Sequence, residues 1–84
     1  MRVGTQFTGA LAPGETGQWF THSWPADWQV AWTFMPITPE PGVPQIEWDV
    51  EVERASEATV TYWLTVTNLG GSALDFEGRY AVLN

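Results

Sequence analysis

Apolar and polar residues alternate with a period of two along much of this chain. That is the spacing of a strand with one face on a core and the other in water. In residues 45–54, Ile46, Trp48, Val50 and Val52 share one parity, and Gln45, Glu47, Asp49, Glu51 and Glu53 take the other. In residues 59–68, Val60, Tyr62, Leu64 and Val66 oppose Thr59, Thr61, Thr65 and Thr67. In residues 73–83, Leu74, Phe76, Tyr80 and Val82 oppose Asp75, Glu77 and Arg79. Residues 3–11 set Val3, Phe7 and Leu11 against Gln6 and Thr8. Each reads as a half-buried strand, and the β-branched and aromatic enrichment agrees.

Two further segments are less regular. Residues 18–24 carry aromatics on both parities: Trp19 on one, Phe20 and Trp24 on the other. Residues 28–35 alternate, with Trp28, Val30, Trp32 and Phe34 on one side. A helix competes there, because Trp24, Trp28 and Trp32 are spaced by four, Ser23 can cap and Pro25 suits a first turn. The strand parity and the regular β pattern around it favour a strand.

The turn residues punctuate the same scheme. Ala12-Pro13-Gly14-Glu15 suits a type II turn, with Pro presetting φ and Gly taking the positive φ that follows. Residues 55–58 make a short hairpin loop, and Asn68-Leu69-Gly70-Gly71-Ser72 reads as another, so the last three strands are expected to form an antiparallel meander. Residues 36–44 hold four prolines and cannot continue a ladder or a helix, which makes them an extended crossing between sheets. The expected fold is all-β: a single domain over residues 1–84, an antiparallel β-sandwich or open barrel of about six strands.

Composition changes this picture in two ways. A chain of 84 residues buries only about 60–65% of the surface its unfolded form exposes, and domains this small usually need a staple. With no Cys there is no disulfide, so six Trp, four Phe and two Tyr must supply the core, aided by self-association. The net charge of −7, with Arg2, Arg54 and Arg79 as the only fixed cations, speaks against nucleic acid and anionic membranes as partners. No apolar run approaches the ~20 residues of a membrane span, and the N-terminus lacks the apolar core of a secretory signal. The expectation is cytoplasmic synthesis of a soluble product without membrane insertion.

The same counts narrow the chemistry. One His and no Cys leave little for nucleophilic or thiolate-metal work, so neither catalysis nor a cofactor is expected. His22 and Ser23 are adjacent, and adjacent strand residues point to opposite faces, which argues against a catalytic pair. The acidic row Glu47, Asp49, Glu51 and Glu53 spaces its carboxylates about 6.5–7 Å apart, too far for two to share a Ca²⁺ unaided. A solvated face that discourages edge pairing is the plainer reading.

The tryptophans divide by parity. Trp32 and Trp48 belong to apolar faces, and Trp28 joins them. Trp63 shares the threonine face of its strand, beside the acidic row across the hairpin. Trp19, Trp24 and Trp63 have no core position that the alternation requires. An indole face packs on the CH face of a pyranose while carboxylates and amides take its hydroxyls. The candidate ligand site is therefore Trp19, Trp24, Asp27, Glu51, Trp63 and Asn68, with carbohydrate as ligand and a homo-oligomer as the acting form. The alternative is a structural or assembly protein whose aromatic patches are subunit interfaces.

The opening Phe7-Thr8-Gly9-Ala10-Leu11-Ala12-Pro13-Gly14-Glu15-Thr16-Gly17-Gln18-Trp19-Phe20 resembles the start of bacterial pre-peptidase C-terminal-like β-sandwich domains. Thr65-Val66-Thr67-Asn68-Leu69-Gly70-Gly71-Ser72-Ala73 is similar to hairpins of bacterial Ig-like sandwiches. Together they cover roughly a quarter of the chain. The resemblance implies a non-catalytic sandwich of the kind that accompanies secreted enzymes and sometimes binds polymers or sugars. The cluster from Trp24 to Trp32 lies outside that pattern, and no functional residue is carried over.

Overall fold

The computed structural model describes residues 2–84. It holds six strands: β1 (Arg2–Leu11), β2 (Thr16–Pro25), β3 (Val30–Pro36), β4 (Ile46–Arg54), β5 (Thr59–Asn68) and β6 (Leu74–Val82). They form two three-stranded antiparallel sheets, ordered β1-β6-β3 and β2-β5-β4, that do not close into a barrel. Among the described residues there is no helix, hence none long and apolar enough to cross a membrane. The competition over residues 24–35 is resolved as strand. β2 runs to Pro25, a turn closes with Trp28 N–H donating to the Pro25 carbonyl at 3.1 Å, and β3 begins at Val30.

The core lies between the two central strands. Leu64, Val66, Phe76 and Val82 are fully enclosed, with Phe34, Trp32, Trp24 and Tyr62 around them. Aromatic rings meet mostly edge to face, as in Trp24 against Trp32 at 5.6 Å and against Tyr80 at 5.1 Å. That geometry sets the positive ring edge against the negative ring face. Trp48 and Trp28 flank the core, Trp48 against Phe34 at 5.6 Å and Trp28 against Trp24 at 6.2 Å.

The expected meander over the last three strands does not form. β4 and β5 make the hairpin, but β6 leaves to become the centre of the opposite sheet, so residues 69–73 bridge the layers. Asn68, at the end of β5, supplies the physical reason. Its Nδ2 donates to the carbonyls of Leu11 (3.3 Å), Ala12 (3.1 Å) and Ser72 (2.8 Å), while Oδ1 accepts from Gly70 N–H at 2.9 Å. The side chain thereby pins the crossover to the 12–15 turn instead of letting it fold back as a hairpin. That turn forms as expected: Glu15 N–H donates to the Ala12 carbonyl at 3.0 Å, and Gly14 has φ +75°. The proline-rich segment also crosses between layers, from β3 to β4.

The parity conflict in β2 is settled by a bulge. The β2–β5 register shifts between Thr21 and Trp24, and Ser23 takes φ +67°. One extra residue reverses the alternation, so Trp19 and Trp24 both face inward although their parities differ. Trp24 is 8% exposed and its Nε1 donates to Thr21 Oγ1 at 3.1 Å. It is a core residue, contrary to the expectation from alternation alone.

Candidate functional site

The outer face of the β2-β5-β4 sheet carries the most distinctive exposed chemistry. Its rows follow the pairing: Phe20, Trp63 and Glu51 lie side by side, with Gln18, Thr65 and Asp49 next to them and Thr16, Thr67 and Glu47 beyond. Phe20 is 60% exposed, and its ring centroid lies 5.2 Å from that of Trp63 at an interplanar angle of 31°. Trp63 is half-buried, and its Nε1 donates to Glu53 Oε1 at 2.9 Å. The hydrogen bond anchors the indole beside the tilted Phe20 ring. His22 flanks the pair, 6.3 Å from Phe20 between centroids.

Charge on this face is of one sign. Glu47, Asp49, Glu51 and Glu53 all project from β4 and are exposed. The three arginines are engaged elsewhere. The Arg2 guanidinium sits 4.6 Å above the Trp28 ring, Arg54 donates to the carbonyls of Ser56 (3.0 Å) and Glu57 in its own loop, and Arg79 pairs with Glu77 at 2.7 Å on the other sheet. Among the described residues no group of three His, Cys, Asp or Glu side chains stands close enough to hold a metal ion. The β4 row is an extended negative edge, not a chelating cluster.

Of the six residues expected to form a ligand site, the sheet brings two together: Trp63 and Glu51 are direct cross-strand neighbours. Trp19 faces the interior, stacked on Phe7 at 5.8 Å and edge-on to Phe76 at 5.3 Å. Trp24 is in the core, and Asn68, 2% exposed, is the buried clamp described above, so neither is placed to meet a ligand. Asp27 is exposed but lies in the turn after β2, where its carbonyl accepts from Asn84 Nδ2 at 2.8 Å. Phe20 and Gln18 were missed. Their outward parity was visible, but the bulge at Ser23 hid the fact that Phe20 and Trp24 part company.

His22 and Ser23 also differ from expectation. His22 Nδ1 and Ser23 Oγ are 2.9 Å apart, because the bulge turns both side chains outward. Both are exposed, and among the described residues no carboxylate bonds the other ring nitrogen to complete a relay.

Cavities lie away from this face. One is lined by Thr38, Glu40, Gln45, Ser72 and Asp75, and others open on the outer side of the β1-β6-β3 sheet. None of these cavities is lined by Phe20 or Trp63. No family model, curated protein or solved structure matches the chain.

Proposed function

We propose that this protein is a non-catalytic carbohydrate-binding module and that the outer face of the β2-β5-β4 sheet receives the sugar. The carrying observation is the exposed Phe20 ring set 5.2 Å from a Trp63 indole whose N–H is already held by Glu53. A ring fixed before binding loses little freedom when a pyranose settles on it. Gln18, Thr65, Asp49 and Glu51, in the adjoining rows, offer acceptors and donors at the rim for hydroxyl groups. The described cavities do not include Phe20 or Trp63, and an open aromatic pair suits an extended glycan more than a small molecule, which would seek an enclosing pocket.

Single open sites are weak, and a homo-oligomer offsets that through multivalency. Val50 and Val52 have the inward parity of β4 yet are 37% and 65% exposed, so that flank of the sandwich is open and supplies an apolar surface for self-association. The same valines favour the second reading, an assembly protein in which association is the whole function.

A glycan array followed by titration of Trp fluorescence tests the first reading. Saturable quenching that Phe20→Ala abolishes is the expected result. A clean array, together with an oligomer that Val52→Asp dissociates in light scattering, would favour assembly instead.

A further inference from the structure

We infer that the ligand of the Phe20 and Trp63 platform is a glycan bearing free amino groups, protonated when bound; this deepens the carbohydrate reading and rests on it. Four observations carry it. Carboxylates occupy four successive outward positions of β4, and Glu51 is the cross-strand neighbour of Trp63. No salt bridge neutralises any of them among the described residues, the ion pair present being that of Arg79 and Glu77 on the opposite sheet. Of the four, Glu53 gives one oxygen to the Trp63 indole and keeps the other free. The sequence has no Lys, and each Arg is committed away from this face.

The chemistry follows from charge and ring together. Uncompensated carboxylates repel one another, and a cation laid along them relieves that repulsion. An ammonium group beside an indole or phenyl face is also drawn to its quadrupole. A neutral sugar has the CH–ring contact and hydroxyl hydrogen bonds to the rim, but no charge to set against the acidic row. A 2-amino sugar presents an apolar ring face to Phe20 and Trp63 and an ammonium group to Glu51 or Asp49. In a polymer of such sugars the charges recur along the chain, as the carboxylates recur along β4, about 6.5–7 Å apart. An acidic glycan is excluded by the same field.

The test compares a glucosamine hexamer with an N-acetylglucosamine hexamer and with pentalysine, by calorimetry on the full chain. The buffer is acidic enough to keep the amines protonated and above the range in which carboxylates protonate. The amino hexamer is expected to bind about tenfold more tightly than the acetylated one at low salt, and the gap should narrow at about 0.5 M salt. The double variant Asp49→Asn with Glu51→Gln should lower amino-hexamer affinity more than acetylated-hexamer affinity. Asp75→Asn, a change on the other sheet that removes one charge as Glu51→Gln alone does, should leave both unchanged. If the double variant fails to fold by circular dichroism, Glu51→Gln alone reads the same effect at smaller size. Equal affinity for the two hexamers would overturn the amino-sugar assignment and leave the carbohydrate reading standing. Binding of neither would overturn both. Pentalysine binding as tightly as the amino hexamer would show a general polycation surface and overturn the glycan assignment.

Discussion

Phe7 and Phe34 stand on the two edge strands of one sheet, yet their ring centroids lie 5.9 Å apart. They meet because the residue between them on β6, paired with both, is Gly78. With no side chain there, the rings lean over the central strand and cover its backbone, an arrangement that compensates a glycine in a sheet interior. A Cβ at Gly78 would lie 2.7 Å from Phe7 Cε1 and 3.1 Å from Phe34 Cε1. Gly78→Ala is therefore expected to destabilise by about 1–3 kcal/mol through overpacking, despite the better strand propensity of Ala. In a domain of this size that lowers the melting temperature by roughly 4–8 °C per kcal/mol, which thermal circular dichroism reads directly.

Asn68 ties the β5 end to the first turn and to the crossover, and it is 2% exposed. Asn68→Ala leaves three carbonyls and the Gly70 N–H without this partner, at a cost of about 2 kcal/mol or more. Asn68→Asp keeps the Gly70 contact but sets a buried carboxylate against carbonyl oxygens, so it should be worse than Ala at neutral pH. Its carboxyl would be held neutral in the fold, with a raised pKa. The Asp variant should therefore regain stability relative to Ala as pH falls into the carboxylate range, a crossing that urea midpoints at several pH values would display.

The six strands were legible in the alternation, because one face of each strand meets water, but the alternation left a sandwich and an open barrel both standing. The assignment of strands to sheets was not legible. A loop such as residues 68–72 has the same residues whether it folds back or crosses over, and the buried contacts of Asn68 decide the matter. The candidate site was half legible for a related reason. Trp63 announced itself by standing among threonines, whereas Trp19, Phe20 and Trp24 depended on a bulge, and a one-residue shift reverses every side chain beyond it.

That bulge gives a prediction of its own. Ser23 holds φ +67°, a conformation that costs an L-residue about 1 kcal/mol and a glycine almost nothing. Ser23→Gly should be neutral or slightly stabilising, while Ser23→Val, β-branched in the same conformation, should cost more than 1 kcal/mol by roughly a factor of two. Deleting Ser23 removes the extra residue and forces Trp19 or Trp24 out of the core, and urea unfolding of the three variants should rank them in that order.

Tyr62 faces the core, and burial pushes its phenol above the ordinary value of 10.0. The folded chain thus keeps the proton more tightly than the unfolded chain. Stability owed to this group is fully present below about pH 10 and falls as the pH rises past the unfolded value and through the folded one, since the unfolded state ionises first. Urea midpoints should therefore drop as the pH rises above about 10, and Tyr62→Phe should flatten part of that drop.

Trp63 lies in a field of one sign, with Glu51 beside it and Glu53 on its Nε1. A cationic quencher is concentrated at such a face and an anionic one is depleted. Cesium should therefore quench Trp63 fluorescence more efficiently than iodide does. Trp24 and Trp32 contribute little to the difference, because they are buried. In Trp63→Phe most of the cesium preference should vanish while the fold is retained, since the residue is on the outer face and the change gives up the hydrogen bond to Glu53, at a cost of about 1 kcal/mol. Raising salt to about 0.5 M should shrink the preference in the unsubstituted chain, as screening shortens the reach of the β4 carboxylates. Equal quenching by the two ions at low salt would mean that the acidic row does not govern approach to the indole.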